Sequence, residues 1–145
     1  MGAPGGSFLR GVVPGGYPKL LTLAKAGTTS LVVPTSRIYY LAWFLAYCNT
    51  DATVATRTFT ISILLTNSAS CILGYSSQTA SQNKGLSYNI AAGGGLTAPQ
   101  DISHGGGLLL PIFAGQTLRV TTTNPQAGDM WAVEGVYYDT YGIGG

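Results

Sequence analysis

Residues 57–66 alternate with period two: Phe59, Ile61, Ile63 and Leu65 are apolar, and Thr58, Thr60 and Ser62 stand between them. Successive side chains of a β-strand point to opposite faces, so this stretch predicts a strand with one face in a core and the other toward water or a partner. Residues 117–123 repeat the pattern, with Leu118 and Val120 inward and Thr117, Arg119, Thr121 and Thr123 outward. Threonine suits such outer faces because its β-branch fits the pleated surface. No stretch has a convincing helical period, although the eleven apolar residues 38–48 would also fit three turns of a buried helix, and the apolar runs are short and punctuated by Gly, Pro, Asn and Ser. Strands are expected at 19–24, 28–33, 37–48, 57–66, 117–123 and 130–139, with shorter candidates at 85–91 and 108–113. Residues 74–104 are mostly Ser, Thr, Gln, Asn, Gly and Ala and predict a long, weakly structured excursion. This series predicts an all-β fold, an antiparallel β-sandwich of the jelly-roll kind.

Residues 38–48 are apolar on both faces of a strand, with Ile38, Tyr40, Ala42, Phe44, Ala46 and Cys48 on one and Tyr39, Leu41, Trp43, Leu45 and Tyr47 on the other. An antiparallel strand of this kind is either covered on both sides or contributes a subunit interface. Tyr39, Trp43 and Tyr47 are the candidates for that interface, since aromatic residues are enriched at interface centres. In 130–139, Trp131, Val133 and Tyr137 share one face, and Met130, Ala132, Val136 and Tyr138 share the other with Glu134. A carboxylate there needs solvent or a partner, and Arg57 or Arg119 on a neighbouring strand is the candidate.

The chain has 145 residues, one domain by length, and only 8% of them are charged where about 25% is usual. A surface hydrated by Thr, Ser, Asn and Gln carries little of the repulsion that keeps monomers apart. The net charge of +2 arises from Lys and Arg scattered singly, without the basic face that phosphate binding requires, so no nucleic-acid partner is expected. No run reaches the ~18 apolar residues of a membrane helix, and no membrane partner is expected. Met1 is followed by glycine and proline instead of a basic and apolar leader, which predicts a protein made in a cytoplasm and kept soluble. Cys48 and Cys71 fall at or near strand ends, where they read as buried thiols with a disulfide as the alternative.

Residues 1–17 form a separate Gly/Pro-rich arm with six glycines and two prolines, and 18–145 form the sandwich domain. Fixing the backbone of sixteen such residues costs about 16–32 kcal/mol. At about 25 cal/mol per Å² this takes about 600–1,300 Å² of apolar contact, more than Phe8, Leu9, Val12 and Val13 find on their own domain. Neighbouring subunits are the expected source, with Phe8, Leu9, Arg10, Val12, Val13 and Tyr17 as the contact residues of the arm.

Catalytic constellations are sparse. His104 is the only histidine, and Asp101 is its nearest carboxylate, on a glycine-rich loop well below the density of a metal or hydrolase site. Asp129 and Glu134 flank a strand start and read as a turn cap and a surface carboxylate rather than a glycosidase pair. No phosphate-binding loop is present. The expectation is a non-enzyme without catalytic residues, metal or other cofactor.

Leu31-Val32-Val33-Pro34 ahead of the aromatic strand, Arg57-Thr58-Phe59-Thr60-Ile61, the run from Leu110 through Pro111 and Gly115 to Leu118, the turn from Asn124 to Asp129, and the strand from Trp131 to Asp139 together span about residues 28–139. In these pieces the chain resembles small jelly-roll structural proteins of tailed-phage virions, either head decoration (cement) proteins or fibre-knob modules. The resemblance implies a virion protein assembled in the host cytoplasm. It further implies a homotrimer, with the major capsid protein or other virion subunits as partners and an amino arm that grips the capsid. It implies no catalytic residues. The alternative it carries is a fibre or tail receptor-binding domain, in which Tyr75 and Tyr88 in the 74–104 excursion meet a host glycan.

Overall fold

The computed structural model describes residues 16–25, 27–89, 100–105 and 109–141, and every regular element among them is a β-strand. In chain order these are β1 (Tyr17–Ala24), β2 (Ser30–Val32), β3 (Arg37–Asn49), β4 (Arg57–Leu64), β5 (Ser70–Gln78), β6 (Asn83–Asn89), β7 (Gln100–Gly105), β8 (Leu110–Phe113), β9 (Thr117–Thr123) and β10 (Met130–Tyr141). The larger sheet runs β1-β10-β3-β6-β7, and β8 pairs with β3 as well. The smaller sheet runs β2-β9-β4-β5. All pairings are antiparallel except β6 with β7. The predicted β-sandwich is therefore the observed fold.

The two sheets face each other over one core. Leu21 and Leu23 of β1, Leu41, Phe44 and Ala46 of β3, Phe59, Ile61 and Ile63 of β4, Leu118 of β9 and Val133 of β10 fill it. β4 and β10 present the inward sets expected from their alternation, and β9 buries Leu118 with Val120 packed against the cluster.

β3 departs from strict alternation. Trp43 pairs with Val136 and Leu41 with Tyr137, so Ala42 is an extra residue on β3, a β-bulge. One inserted residue reverses which face the rest of the strand presents. The inward set becomes Tyr39, Leu41, Phe44, Ala46 and Cys48, where simple alternation put Tyr39 and Leu41 with Trp43, Leu45 and Tyr47.

The described residues of the stretch expected to be a weakly structured excursion are mostly strand instead: β5, β6 and β7 cover 70–78, 83–89 and 100–105. Their serine and glycine content hides the pattern, because small polar residues serve both the inner and the outer face. Ser76 and Gln78 are buried in β5, alongside Gly74. Of the predicted arm, only Gly16 and Tyr17 lie among the described residues, and Tyr17 opens β1 opposite Asp139.

Candidate interaction surface

The outer faces of the two sheets differ in chemistry. On the smaller sheet, Thr58, Thr60, Thr117, Arg119, Thr121 and Thr123 point away from the core. Among these hydroxyls the same face also exposes Val32, Ile72 and Tyr75. On the larger sheet, the register lines up Leu20, Val136 and Trp43 in one row, Thr22, Glu134 and Leu45 in the next, and Ala24, Ala132 and Tyr47 in a third. Beyond the bulge, Tyr138 lies opposite Tyr40, and Ile38 lies opposite Phe113 of β8. Leu20 is 82% exposed, Met130 66%, Phe113 49%, Trp43 42% and Tyr47 40%. Glu134 is the sole ionisable acid or base in the three rows. Three strands about 4.8 Å apart and about eight residues long at about 3.4 Å each give this face about 400 Å² in projection. Contiguous exposed apolar areas beyond a few hundred Å² mark interaction sites.

Two polar knots pin the ends of the sandwich and leave the apolar face between them. At one end Asp139, whose side chain is 4% exposed, accepts from Lys19 Nζ at 2.5 Å, and from Arg37 Nε at 2.7 Å and Nη2 at 2.6 Å. The Arg37 guanidinium also lies over the Tyr141 ring, 4.1 Å from its centroid. Burial pushes the Asp139 carboxyl up, but the hydrogen bonds from Lys19 and Arg37 outweigh it and hold the group below the usual carboxylate range. Burial beside Tyr39 raises the Tyr137 phenol.

At the other end Arg57 is the buried cation. Its Nη2 donates to Asp51 Oδ1 at 2.5 Å, its Nε to Asp129 Oδ2 at 3.0 Å, and its Nη1 to the carbonyls of Thr53 and Ala55 at 2.8 and 2.9 Å. Asp129 also accepts from the backbone N–H of Gln126 at 2.7 Å and of Asp51 at 2.9 Å. Against burial, which raises it, these backbone donors and Arg57 hold the Asp129 carboxyl low. Lys25 Nζ closes the same loop through the carbonyls of Gln126, Ala127 and Asp129.

Trp43 and Tyr47 stand on the outer face of the larger sheet. Tyr39 does not join them: the bulge turns it inward, 6% exposed, with its ring centroid 4.6 Å from that of Tyr137. Tyr17 lies on β1, while Phe8, Leu9, Arg10, Val12 and Val13 fall outside the described residues. Tyr75 is on β5 of the smaller sheet and Tyr88 on β6 of the larger one, so the two belong to strands of different sheets rather than to one loop. His104 and Asp101 likewise fall in strand β7 and not in a loop.

Neither arginine pairs with Glu134. Arg57 holds the two aspartates, and Arg119 Nη2 donates to Ser70 Oγ at 3.1 Å. Glu134 is exposed on the outer face, and Asp129 is buried behind it as the expected turn cap. Cys48 is a buried free thiol as expected, whereas Cys71 is free and exposed at the edge strand β5.

What sequence reasoning missed were the remaining members of the face: Leu20 on β1, Tyr40 before the bulge, and Phe113 on β8. Leu20 carried a signal, since Leu20 and Leu21 are adjacent and a strand cannot bury both on one face. No family model, curated protein or solved structure matches the chain.

Proposed function

We propose that this protein is a non-enzymatic structural subunit that self-associates and joins a larger particle, most specifically as a capsid decoration protein of a tailed-phage virion. The observation that carries the reading is the outer face of the larger sheet, where Leu20, Trp43, Leu45, Tyr47, Val136 and Met130 surround a single charge, Glu134. Each partner of a standard interface buries about 800 Å² of accessible surface, and a face of this extent supplies about half of it. A homotrimer with Trp43 and Tyr47 at its contacts is the assembly that the resemblance to virion jelly rolls implies. Neighbouring capsid subunits would then be bridged by the arm, with Phe8, Leu9, Arg10, Val12 and Val13 as its contact residues.

The strand order supports the jelly-roll assignment within this reading. With β7 and β8 set aside as additions to the larger sheet, eight strands remain. The first, eighth, third and sixth form one sheet and the second, seventh, fourth and fifth the other, which is the order of two interlocked Greek keys. The fold alone does not name a function, so the virion placement rests on the apolar face and the arm.

Co-sedimentation with purified phage capsids tests the reading. The full chain is expected to pellet with the particles and raise their melting temperature. A form lacking residues 1–16 is expected to remain folded and stay in the supernatant. Undiminished capsid binding by the truncated form would contradict the role of the arm, and failure of the full chain to bind any capsid would contradict the decoration role.

A further inference from the structure

β1 is an edge of the larger sheet, with β10 on one side and no strand among the described residues on the other. Its hydrogen-bond phase follows from Lys25, which stands opposite Trp131 in the continued register and donates its N–H to that carbonyl at 3.2 Å. In an antiparallel ladder every second residue turns its backbone groups to a given neighbour. Lys19, Leu21 and Leu23 therefore bond to β10, and Pro18, Leu20, Thr22 and Ala24 aim their backbone groups outward.

Those four are not alike. Ala24 is closed off by its own turn: its N–H donates to the Thr28 carbonyl and its carbonyl accepts from the Gly27 N–H, both at 3.0 Å. Pro18 has no N–H to give. Leu20 and Thr22 keep both groups, and among the described residues neither has a backbone partner on that side. The edge thus offers the N–H groups of Leu20 and Thr22 as donors and the carbonyls of Pro18, Leu20 and Thr22 as acceptors. Outward charges or a covering segment usually blunt such an edge, which otherwise templates pairing with another chain. Lys19, the one charged residue of β1, is turned to Asp139, and the side chain at the middle of the edge is Leu20, 82% exposed.

We infer that β1 pairs edge to edge with β1 of a second copy, antiparallel across a two-fold axis at Leu20. In this register each Leu20 exchanges both bonds with its counterpart, and each Thr22 N–H donates to the Pro18 carbonyl of the other copy. Every free donor is then used, and the donorless proline faces a threonine whose carbonyl stays with water. A two-fold axis at Leu21 instead sets Pro18 against Ala24, where Gly27 and Thr28 already stand. On the outer face, the row of Trp43, Val136 and Leu20 runs through the axis into the same row of the second copy. This self-complementarity is what an isologous contact requires, and it selects a second copy over an unrelated strand. Four hydrogen bonds and one leucine contact fall short of what association costs, so the pairing rests on the self-association proposed above. It joins copies that the outer face has already gathered and links one oligomer to the next. Because it lies in the plane of the sheet, it leaves that face free for its own contact.

Disulfide trapping tests the pairing on the full chain carrying Cys71→Ser, which removes the exposed native thiol. Opposed residues of a hydrogen-bonded pair lie about 5.5 Å apart between Cα atoms, within the span of a disulfide. The two Leu20 positions meet that condition, whereas the two Thr22 positions are offset by four residues, about 14 Å. Both side chains are exposed, so either cysteine is expected to leave the fold intact. Under mild oxidation Leu20→Cys is expected to form a linked dimer about tenfold faster than Thr22→Cys, read by intact mass. In wild type, the Leu20 and Thr22 N–H groups are expected to exchange with deuterium about tenfold more slowly than in Trp43→Asp. Equal linking of the two cysteines, or equal exchange in the two chains, would overturn the pairing. Sedimentation of the unoxidised samples separates this claim from the one it rests on. An oligomer whose Leu20→Cys stays unlinked overturns the edge pairing alone, and residues 1–15 seated on the edge of their own chain would give that result. A monomer that stays unlinked overturns both claims, and a linked dimer trapped from a monomeric chain upholds the edge and overturns its dependence on the face.

Discussion

Arg57 Nε lies 3.0 Å from Asp129 Oδ2, with both side chains about 95% hidden from solvent, and this pair ties the start of β4 to the turn before β10. Asp51 completes the knot on the other side of the guanidinium. Because all three guanidinium nitrogens of Arg57 have partners, the energetic weight of the knot shows when one member is removed and the others are left buried and unmatched.

Asp129→Ala is therefore expected to destabilise the fold by about 3–5 kcal/mol. Chemical denaturation of the variant beside wild type measures it. A loss below about 1 kcal/mol would mean that the knot is solvated and not structural.

Gly135 faces Phe44 across the β10–β3 ladder, and a Cβ on it would come 2.1 Å from the Trp43 carbonyl oxygen and 2.8 Å from the Phe44 Cα. Backbone atoms cannot yield as a flexible side chain can. Gly135→Ala is expected to cost about 2–4 kcal/mol and to shift the N–H signals of Trp43 and Phe44 first. An unchanged melting temperature would contradict the close strand approach.

The carboxyls of Asp139 and Asp129 are held below their ordinary values, so the unfolded chain binds more protons than the folded one in acid. Their contribution is fully present above the unfolded carboxylate value of about 3.9 and is lost as pH falls through the lower folded values. Stability is expected to be level from about pH 7 to 5 and to decline below about pH 4. The difference between wild type and Asp139→Asn is expected to shrink over the same acid range. A difference that grows on acidification would reverse the assigned direction.

The two thiols differ in exposure. Cys71 is exposed, whereas Cys48 is buried and raised to about 11, so little thiolate exists there at neutral pH. A thiol reagent at pH 8 is expected to modify Cys71 promptly and Cys48 only on unfolding. Equal rates at both would contradict the placement of Cys48 in the core.

Period two made β4, β9 and β10 legible because polar residues mark their outer faces: Thr58 and Thr60, Thr121 and Thr123, Glu134. In β3 the same rule failed from Ala42 onward. With aliphatic and aromatic residues on both sides, nothing in 38–48 fixes the phase, and a bulge leaves no trace in composition. Of the three aromatics grouped as interface candidates, Trp43 and Tyr47 stand on the outer face and Tyr39 lies in the core. β5 and β7 were illegible for the opposite reason, since their serines and glycines carry no contrast between faces. The knot of Asp51, Arg57 and Asp129 joins residues up to 78 positions apart, which only the folded chain brings together.

Sedimentation velocity across a range of concentrations, on wild type and on Trp43→Asp, bears most directly on the claim that the outer face of the larger sheet is covered in the native assembly. Trp43 is 42% exposed on that face, so an aspartate there is expected to leave the fold intact. The account predicts an oligomer for wild type, a multiple of the 15.0 kDa chain, and a folded monomer for the variant. A wild-type chain that stays monomeric at every concentration, or a variant that assembles as wild type does, would contradict it.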